Sequence, residues 1–187
     1  PRGPAIALVA AAPAVDHALA LVSASNALIG IAVGGFKHGV VLYGKDATRN
    51  TVSDCFIGVS ADGGTPAPNE TGVVLVAGAR GNTLVRNLIS GNASVGVYLG
   101  DKETTGNVLR GNRIGTDASG TRRVPNALGV MIARSSANLV GGSRPEDGNL
   151  IAGNDDIGLL LVGKWTERNV IQGNRIGVNA TGSRILH

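Results

Sequence analysis

The chain has 187 residues, a length that fits one ordinary domain, and a net charge of +4. Hydrophobic residues make up 43% of it but aromatic residues only 3%, so its core must be aliphatic. The charged residues are scattered and form no basic stripe, so we expect no nucleic-acid binding. The single cysteine excludes a disulfide framework and a thiolate metal site. No apolar run reaches the length of a membrane span, so we expect no membrane insertion.

The chain begins with an apolar stretch at residues 5–15. Its composition resembles a signal-peptide core, but only Arg2 supplies charge before it. We therefore interpret it as the incomplete first turn of a repeat. Further along, Cys55 has no histidine near it in sequence, so we expect a small buried filler and not a nucleophile.

A short glycine-led segment recurs from residue 39 onward. Its copies read Gly-Val-Val-Leu, Gly-Val-Val-Leu, Gly-Val-Tyr-Leu, Gly-Val-Met-Ile and Gly-Leu-Leu-Leu, and they lie at residues 39–42, 72–75, 96–99, 129–132 and 158–161. Successive copies begin 33, 24, 33 and 29 residues apart. These short, β-branched segments bounded by Gly are typical of strands.

An asparagine-led segment alternates with the glycine-led one. Residues 107–120 and 169–182 share nine of fourteen positions and lie 62 residues apart, and weaker copies begin at Asn50, Asn82 and Asn138. Copies that recur in the same direction cannot pair as hairpins, so each must stack on the previous copy in parallel. The sequence predicts an all-β, right-handed, single-stranded parallel β-helix of about seven turns in which short and long turns alternate. We expect one domain over residues 1–187, a segment of a longer protein whose first and last turns are incomplete.

The alternation within each strand predicts which side chains fill the tube. In the glycine-led strands we expect inward columns of Val40/Leu42, Val73/Leu75, Val97/Leu99, Val130/Ile132 and Leu159/Leu161. In the asparagine-led strands we expect inward columns of Val52/Ile57, Leu84/Ile89, Leu109/Ile114 and Ile171/Ile176. Recurrent asparagines fall where the chain bends, and we expect their amides to form a structural ladder through Asn87, Asn112, Asn149 and Asn174.

These residues carry a family resemblance. The stretch Gly-Asn-Arg-Ile-Gly-Thr-Asp-Ala-Ser-Gly-Thr at 111–121, the Ser-Gly-Asn at 90–92 and the glycine-led strands resemble the repeat of the pectate-lyase-like superfamily. More narrowly, they resemble the carbohydrate-binding and sugar-hydrolase type modules of bacterial secreted and surface proteins. The resemblance implies the fold and an extracellular or cell-surface location, but the fold serves many activities.

Long loops follow the same Ile-Gly pair on alternate turns, at residues 58–71, 115–128 and 177–187. We expect them to project from one side as a row. Arg113 and Arg175 occupy equivalent outward positions two turns, or roughly 10 Å, apart. Together with Arg122, Arg123 and Asp117 of the middle loop, they are the candidate ligand-binding residues, and the partner that fits them is a polysaccharide or an acidic protein surface.

The outward positions of the glycine-led strands are unexpectedly apolar. A stripe facing solvent would ordinarily carry Ser, Thr or charged side chains, so we interpret this one as an association surface that a partner or a second copy of the chain covers. Its residues are Val41, Val74, Tyr98, Met131 and Leu160.

Two adjacent carboxylates, Asp155 and Asp156, are the weak catalytic candidates. Paired carboxylates can hydrolyse a glycosidic bond, and the local sequence resembles the paired-Asp motif of polygalacturonase-like hydrolases. The Gly-His-Gly and Arg-Ile-Lys motifs of those enzymes are missing here. The acidic candidates for a Ca²⁺ site are spread over different turns, so we expect no cofactor or resident metal. The leading expectation is a structural or binding module, and the alternatives are a hydrolase or lyase with an incomplete site, or a self-associating assembly module.

Overall fold

The structure is a computed structural model that describes residues 3–11 and 15–186. Within these residues the chain forms nineteen strands and one short 3-10 helix, Pro145–Asp147, and none of its helices is long and apolar enough to cross a membrane. The strands form three sheets in which every neighbouring pair is parallel.

The first sheet stacks, in order, β1 (Ile6–Val9), β4 (Ile31–Gly34), β7 (Phe56–Ile57), β10 (Leu88–Ile89), β13 (Arg113–Ile114), β16 (Leu150–Ile151) and β19 (Arg175–Ile176). The second sheet stacks β2 (His17–Leu21), β5 (His38–Tyr43), β8 (Thr71–Val76), β11 (Val95–Gly100), β14 (Leu128–Ala133) and β17 (Ile157–Val162). The third sheet stacks β3 (Ala27–Ile29), β6 (Thr51–Ser53), β9 (Thr83–Val85), β12 (Val108–Arg110), β15 (Leu139–Gly141) and β18 (Val170–Gln172).

The chain passes through the three sheets in the same order on every turn, so it winds as a parallel β-helix. Stacked positions in the first sheet lie 25 and 24 residues apart over the first two turns. From β7 onward the spacings are 32, 25, 37 and 25 residues, so longer turns alternate with short ones. The predicted architecture is confirmed, but the described residues form six complete turns where the sequence predicts about seven. The difference arises because β19 begins a further turn without a second-sheet strand after it.

The tube is filled by the predicted aliphatic columns. The inward residues of the middle turns, such as Leu42, Leu75 and Leu99, are completely buried in one continuous cluster. Fully burying such a side chain contributes about 1.5–3 kcal/mol. The prediction of burial is wrong for the final members of these columns. The exposed fraction is 41% for Leu161, 37% for Ile171 and 47% for Ile176, and Leu159 is half-buried. Their exposure has a simple cause, because no described strand lies over them.

Asparagine ladders line all three corners of the tube. At most steps a side-chain Oδ1 accepts hydrogen bonds from the backbone N–H and the side-chain amide of the asparagine one turn earlier, as Asn149 does from Asn112 at 2.9 Å each. At Asn92 and Asn154 the donor is the side-chain amide of the earlier asparagine. The predicted set Asn87, Asn112, Asn149 and Asn174 forms the ladder that precedes the first sheet. The sequence interpretation missed the ladder before the third sheet, Asn26, Asn50, Asn82, Asn107, Asn138 and Asn169, and the one before the second sheet, Asn69, Asn92, Asn126 and Asn154.

Candidate functional site

Three hairpin loops follow alternate strands of the first sheet and stack into what we call the loop column. They span residues 59–66, 116–123 and 178–185, each closed by an antiparallel bridge. The backbone N–H of Ala118 donates to the carbonyl of Gly63 at 2.9 Å, and that of Ala180 donates to the carbonyl of Gly120 at 2.9 Å. The loops expected to project as a row therefore lie directly on one another.

Glycine permits this close stacking. Gly120 has a φ of +73°, and a Cβ placed there would lie 2.8 Å from the Cβ of Ala180 and 2.7 Å from a methyl carbon of Leu150. A side chain at this position would separate the loops from each other and from the sheet beneath.

Asp117 holds the middle loop in shape from within. Its Oδ1 accepts hydrogen bonds from the backbone N–H groups of Thr121 and Arg122, and both of its oxygens accept from the Ser119 hydroxyl. Burial raises the pKa of Asp117, but the hydrogen bonds from Ser119 and Arg122 outweigh it and bring the pKa to about 2. Asn179 accepts the equivalent backbone hydrogen bonds in the last loop, so this position organises the loop whether or not it is charged.

A groove runs along the outer face of the first sheet, beside the loop column. It consists of two adjoining cavities of about 480 and 230 Å³ that share Gly111 and Arg113. Further lining residues are Asp54, Phe56, Arg86 and Ala118 in the larger cavity, and Pro145, Leu150, Arg175 and Ala180 in the smaller one.

The floor of the groove carries both apolar and cationic side chains, which alternate from Leu88 onward. Phe56, Leu88, Arg113, Leu150 and Arg175 are consecutive partners in the register of the first sheet. The loops pack on the two leucines, which are buried, whereas the two arginines are exposed. Neither arginine forms an ion pair with any described residue. The groove thus presents two available guanidinium groups, two turns apart, on a line parallel to the tube axis.

An ion pair that the sequence interpretation missed stands at the edge of the groove. Arg86 binds the carboxylate of Asp54 with two hydrogen bonds, from Nε at 2.8 Å and Nη2 at 2.7 Å. The hydrogen bond from Arg86 holds the pKa of Asp54 below its usual value. The two residues lie 32 residues apart, one long turn, so the repeat spacing is the signal that would have paired them.

The structure separates the remaining candidates from the groove floor. Arg122 pairs with Asp117 at 3.0 Å, and Arg123 pairs with Asp155 at 2.8 Å. Asp156 instead lines a cavity of about 220 Å³ on the last turn, away from the groove. The adjacent carboxylates therefore do not face one shared space, and the geometry favours loop positioning for Asp155.

The apolar stripe of the second sheet is in register, as its spacing predicts, but only part of it is accessible. Val41 and Val74 are buried within the chain, while Tyr98, Met131 and Leu160 are half-buried. A Cβ at Gly100 would lie 2.6 Å from the Tyr98 ring, so that ring lies along its own strand. A partner at this surface would contact the later three residues of the stripe.

Two histidines stack at the first turns of the second sheet. His17 and His38 are register partners, and their rings lie 5.3 Å apart between centroids with 24° between the planes. Nδ1 of His38 is buried and has no hydrogen-bond partner among the described residues. Burial and the neighbouring His17 lower the pKa of His38, which favours the neutral imidazole. The third histidine, His187, lies outside the described residues.

Cys55 is completely buried, as the sequence predicts, and burial raises the pKa of its thiol. The described part of the chain contains no group of three or more His, Cys, Asp or Glu side chains arranged to hold a metal ion.

Comparison with known proteins identifies the family. Residues 15–187 match the family described as "Periplasmic copper-binding protein (NosD)", and the chain belongs to that family. Membership is consistent with a place in the bacterial cell envelope. No curated protein and no solved structure matched the chain.

Proposed function

We propose that this member of a periplasmic β-helix family is a binding module of the cell envelope or cell surface, and that its groove takes an extended acidic polysaccharide. The observation that carries the proposal is the pair Arg113 and Arg175. Both side chains are exposed, neither takes part in an ion pair among the described residues, and both lie at the same register position of the first sheet. A groove parallel to the tube axis suits a linear polymer.

The spacing and chemistry of the floor support an acidic sugar chain. Stacked strands lie about 4.8 Å apart, so the two guanidinium groups recur every ~10 Å. Guanidinium groups bind carboxylates and sulfates through paired hydrogen bonds, and Phe56 offers an apolar ring to the face of a sugar. Leu88 and Leu150 hold the loops against the sheet, so the walls are rigid before the ligand arrives.

Variants that remove charge from the floor test this function. Each charge-assisted hydrogen bond contributes about 1.5–3 kcal/mol, so Arg113→Gln with Arg175→Gln should weaken binding to polygalacturonate or alginate at least tenfold. The matched control is Arg49→Gln with Arg80→Gln, which removes the same charge from a different cavity, at the corner between the second and third sheets. Equal affinity of both double variants, or no binding of any acidic glycan by the unaltered chain, would remove the proposal.

Copper binding is a second candidate function, favoured by the family description and by one feature of the chain. That feature is the pair His17 and His38, which place two imidazoles side by side. Cys55, by contrast, is completely buried, and its thiol is directed to the Ser53 carbonyl. Imidazole nitrogen suits copper, but the two rings are stacked face to face, and the described residues hold no group of three or more metal-ligating side chains. Equilibrium dialysis of the chain against copper, followed by metal analysis, tests whether it retains the ion at all.

A further inference from the structure

We infer that the groove binds its ligand with a period of two turns, and so selects an acidic glycan in extended two-fold form, with carboxylates on one face at every second sugar. The inference rests on the proposed polysaccharide function and specifies the ligand of that same groove. Its basis is a period of two turns that the hairpin loops share with the accessible residues of the groove floor.

The floor residues divide according to the turn on which they lie. Phe56, Arg113 and Arg175 belong to the strands that precede the three hairpin loops, whereas Leu88 and Leu150 belong to the strands between them. The two leucines are buried, and the loops pack on them. The accessible side chains of the floor therefore recur at every second turn, or about every 10 Å.

This period matches the geometry of an extended sugar chain. Stacked strands lie ~4.8 Å apart, and a pyranose chain with equatorial linkages advances by a similar distance for each sugar. In a two-fold ribbon, successive sugars turn opposite faces toward the protein, so the carboxylates on one face lie two sugars apart. That separation equals the two turns between Arg113 and Arg175. A contracted or three-fold chain would carry its carboxylates out of step with the arginines.

The three accessible floor residues define three contact positions. Phe56 is half-buried and lines the larger cavity, where its ring can pack against the face of a sugar. Arg113 lines both cavities and Arg175 lines the smaller one, so each guanidinium can pair with one carboxylate. The first, third and fifth sugars of a pentasaccharide would thus reach Phe56, Arg113 and Arg175 in turn.

Acidic side chains of the groove are offset by arginines of their own. Asp54 in the larger cavity pairs with Arg86 at 2.7 Å, and Glu146 in the smaller cavity lies 3.6 Å from Nε of Arg144. The two floor arginines therefore supply the unbalanced positive charge of the groove. Because they lie on one line along the tube axis, the spacing of charge on the ligand decides how many of them it can engage.

Two uronate oligomers that differ only in shape test the inference. Oligomannuronate and oligoguluronate have the same charge and linkage positions but opposite configuration at one carbon, which makes the first an extended ribbon with equatorial linkages and the second a contracted chain with axial ones. We expect calorimetric titration of the whole chain to show at least tenfold tighter binding of the mannuronate pentamer than of the guluronate pentamer. In the mannuronate series, affinity should rise from dimer to trimer and from tetramer to pentamer, with little gain from trimer to tetramer.

A floor variant tests the assignment of positions. Arg175→Gln, at an exposed position, should abolish the gain from tetramer to pentamer and keep the gain from dimer to trimer, because Phe56 and Arg113 remain. Arg80→Gln, which removes the same charge outside the groove, should keep both gains.

The outcomes separate the inference from the function on which it rests. If neither series binds, the acidic-polysaccharide function itself fails. If both pentamers bind equally, if guluronate binds more tightly, or if affinity grows evenly with length, the groove binds acidic glycans and the two-turn match alone is wrong. If Arg175→Gln keeps the gain from tetramer to pentamer, the fifth sugar does not lie at Arg175.

Discussion

The side-chain amide of Asn112 donates a 2.9 Å hydrogen bond to Oδ1 of Asn149, a residue 37 positions later in the chain. Oδ1 of Asn112 accepts in turn from the backbone N–H and the side-chain amide of Asn87. All three residues are buried, so water cannot replace a missing partner.

The first prediction concerns this ladder. Asn112→Ala leaves the N–H of Asn87 and the carbonyl of Leu84 without the partner they have in the folded chain. Each buried orphan costs about 1–3 kcal/mol, so we expect the free energy of unfolding to fall by about 2–5 kcal/mol. Urea denaturation measures the change. Asn26→Ala, at the exposed beginning of another ladder, is the control, and an equal loss there would contradict the explanation.

The second prediction concerns glycine in the loop column. Gly120 and Gly182 share a φ of +73°, but a Cβ at Gly120 meets Leu150 and Ala180 below 3.0 Å, while a Cβ at Gly182 has nothing within 4 Å. Gly182→Ala therefore reports backbone strain alone, about 1 kcal/mol, and Gly120→Ala adds a clash that we expect to cost about 1–3 kcal/mol more. Thermal unfolding of the two variants measures the difference, and equal melting temperatures would show that the loops do not depend on close stacking.

The fold was predictable because each turn repeats the same order of glycine, inward aliphatic residues and asparagine, even where the turns differ in length. Inward Val and Leu positions recur beside glycine, and Asn112 and Asn174 of the predicted ladder lie in the two best-preserved segments, residues 107–120 and 169–182. The ladder through Asn69, Asn92 and Asn126 was missed because its members follow loops of different length and lie outside the best-preserved segments.

The groove was only partly predictable. Arg113 and Arg175 occupy identical places in the repeat, so their alignment follows from the sequence. The sequence does not show which arginines lack an ion-pair partner, because Arg122 and Arg123 meet their acidic partners only when the loops fold back. The histidine pair depends on the register of β2 on β5, in a first turn whose repeat is hard to align.

The third prediction concerns acid. The pKa of Asp117 is about 2, below its value of ~3.9 in an unfolded chain, so the charged carboxylate stabilises the loop above pH ~4 and that contribution disappears as the pH falls toward 2. The contribution is on the order of 2 kcal/mol. Asp117→Asn should keep the loop, as Asn179 does, and lose this part of the pH dependence. Denaturant unfolding at a series of pH values tests this, and identical pH profiles for the variant and the unaltered chain would count against it.

The fourth prediction concerns the accessible end of the apolar stripe. If Tyr98, Met131 and Leu160 are an association surface, a charge in their midst should separate the partners. We expect the unaltered chain to self-associate at high concentration in light scattering, and Met131→Glu to shift it toward monomer. The control is Tyr43→Glu, which places the same charge on an exposed residue of the same sheet outside the stripe. A monomer at high concentration for the unaltered chain would exclude self-association.

The fifth prediction concerns the ion pair at the edge of the groove. Asp54 and Arg86 are substantially exposed, so the pair contributes only about 0–1 kcal/mol to stability. Asp54→Asn should therefore leave the melting temperature nearly unchanged, but it releases a third guanidinium beside Arg113. We expect acidic polysaccharide to bind several-fold more tightly, and the gain to shrink with added salt because the new interaction is exposed. Glu103→Gln frees Lys45 away from the groove with the same change of net charge and is the matched control. An equal gain in both variants would mean that net charge, and not the position of Arg86 in the groove, governs binding.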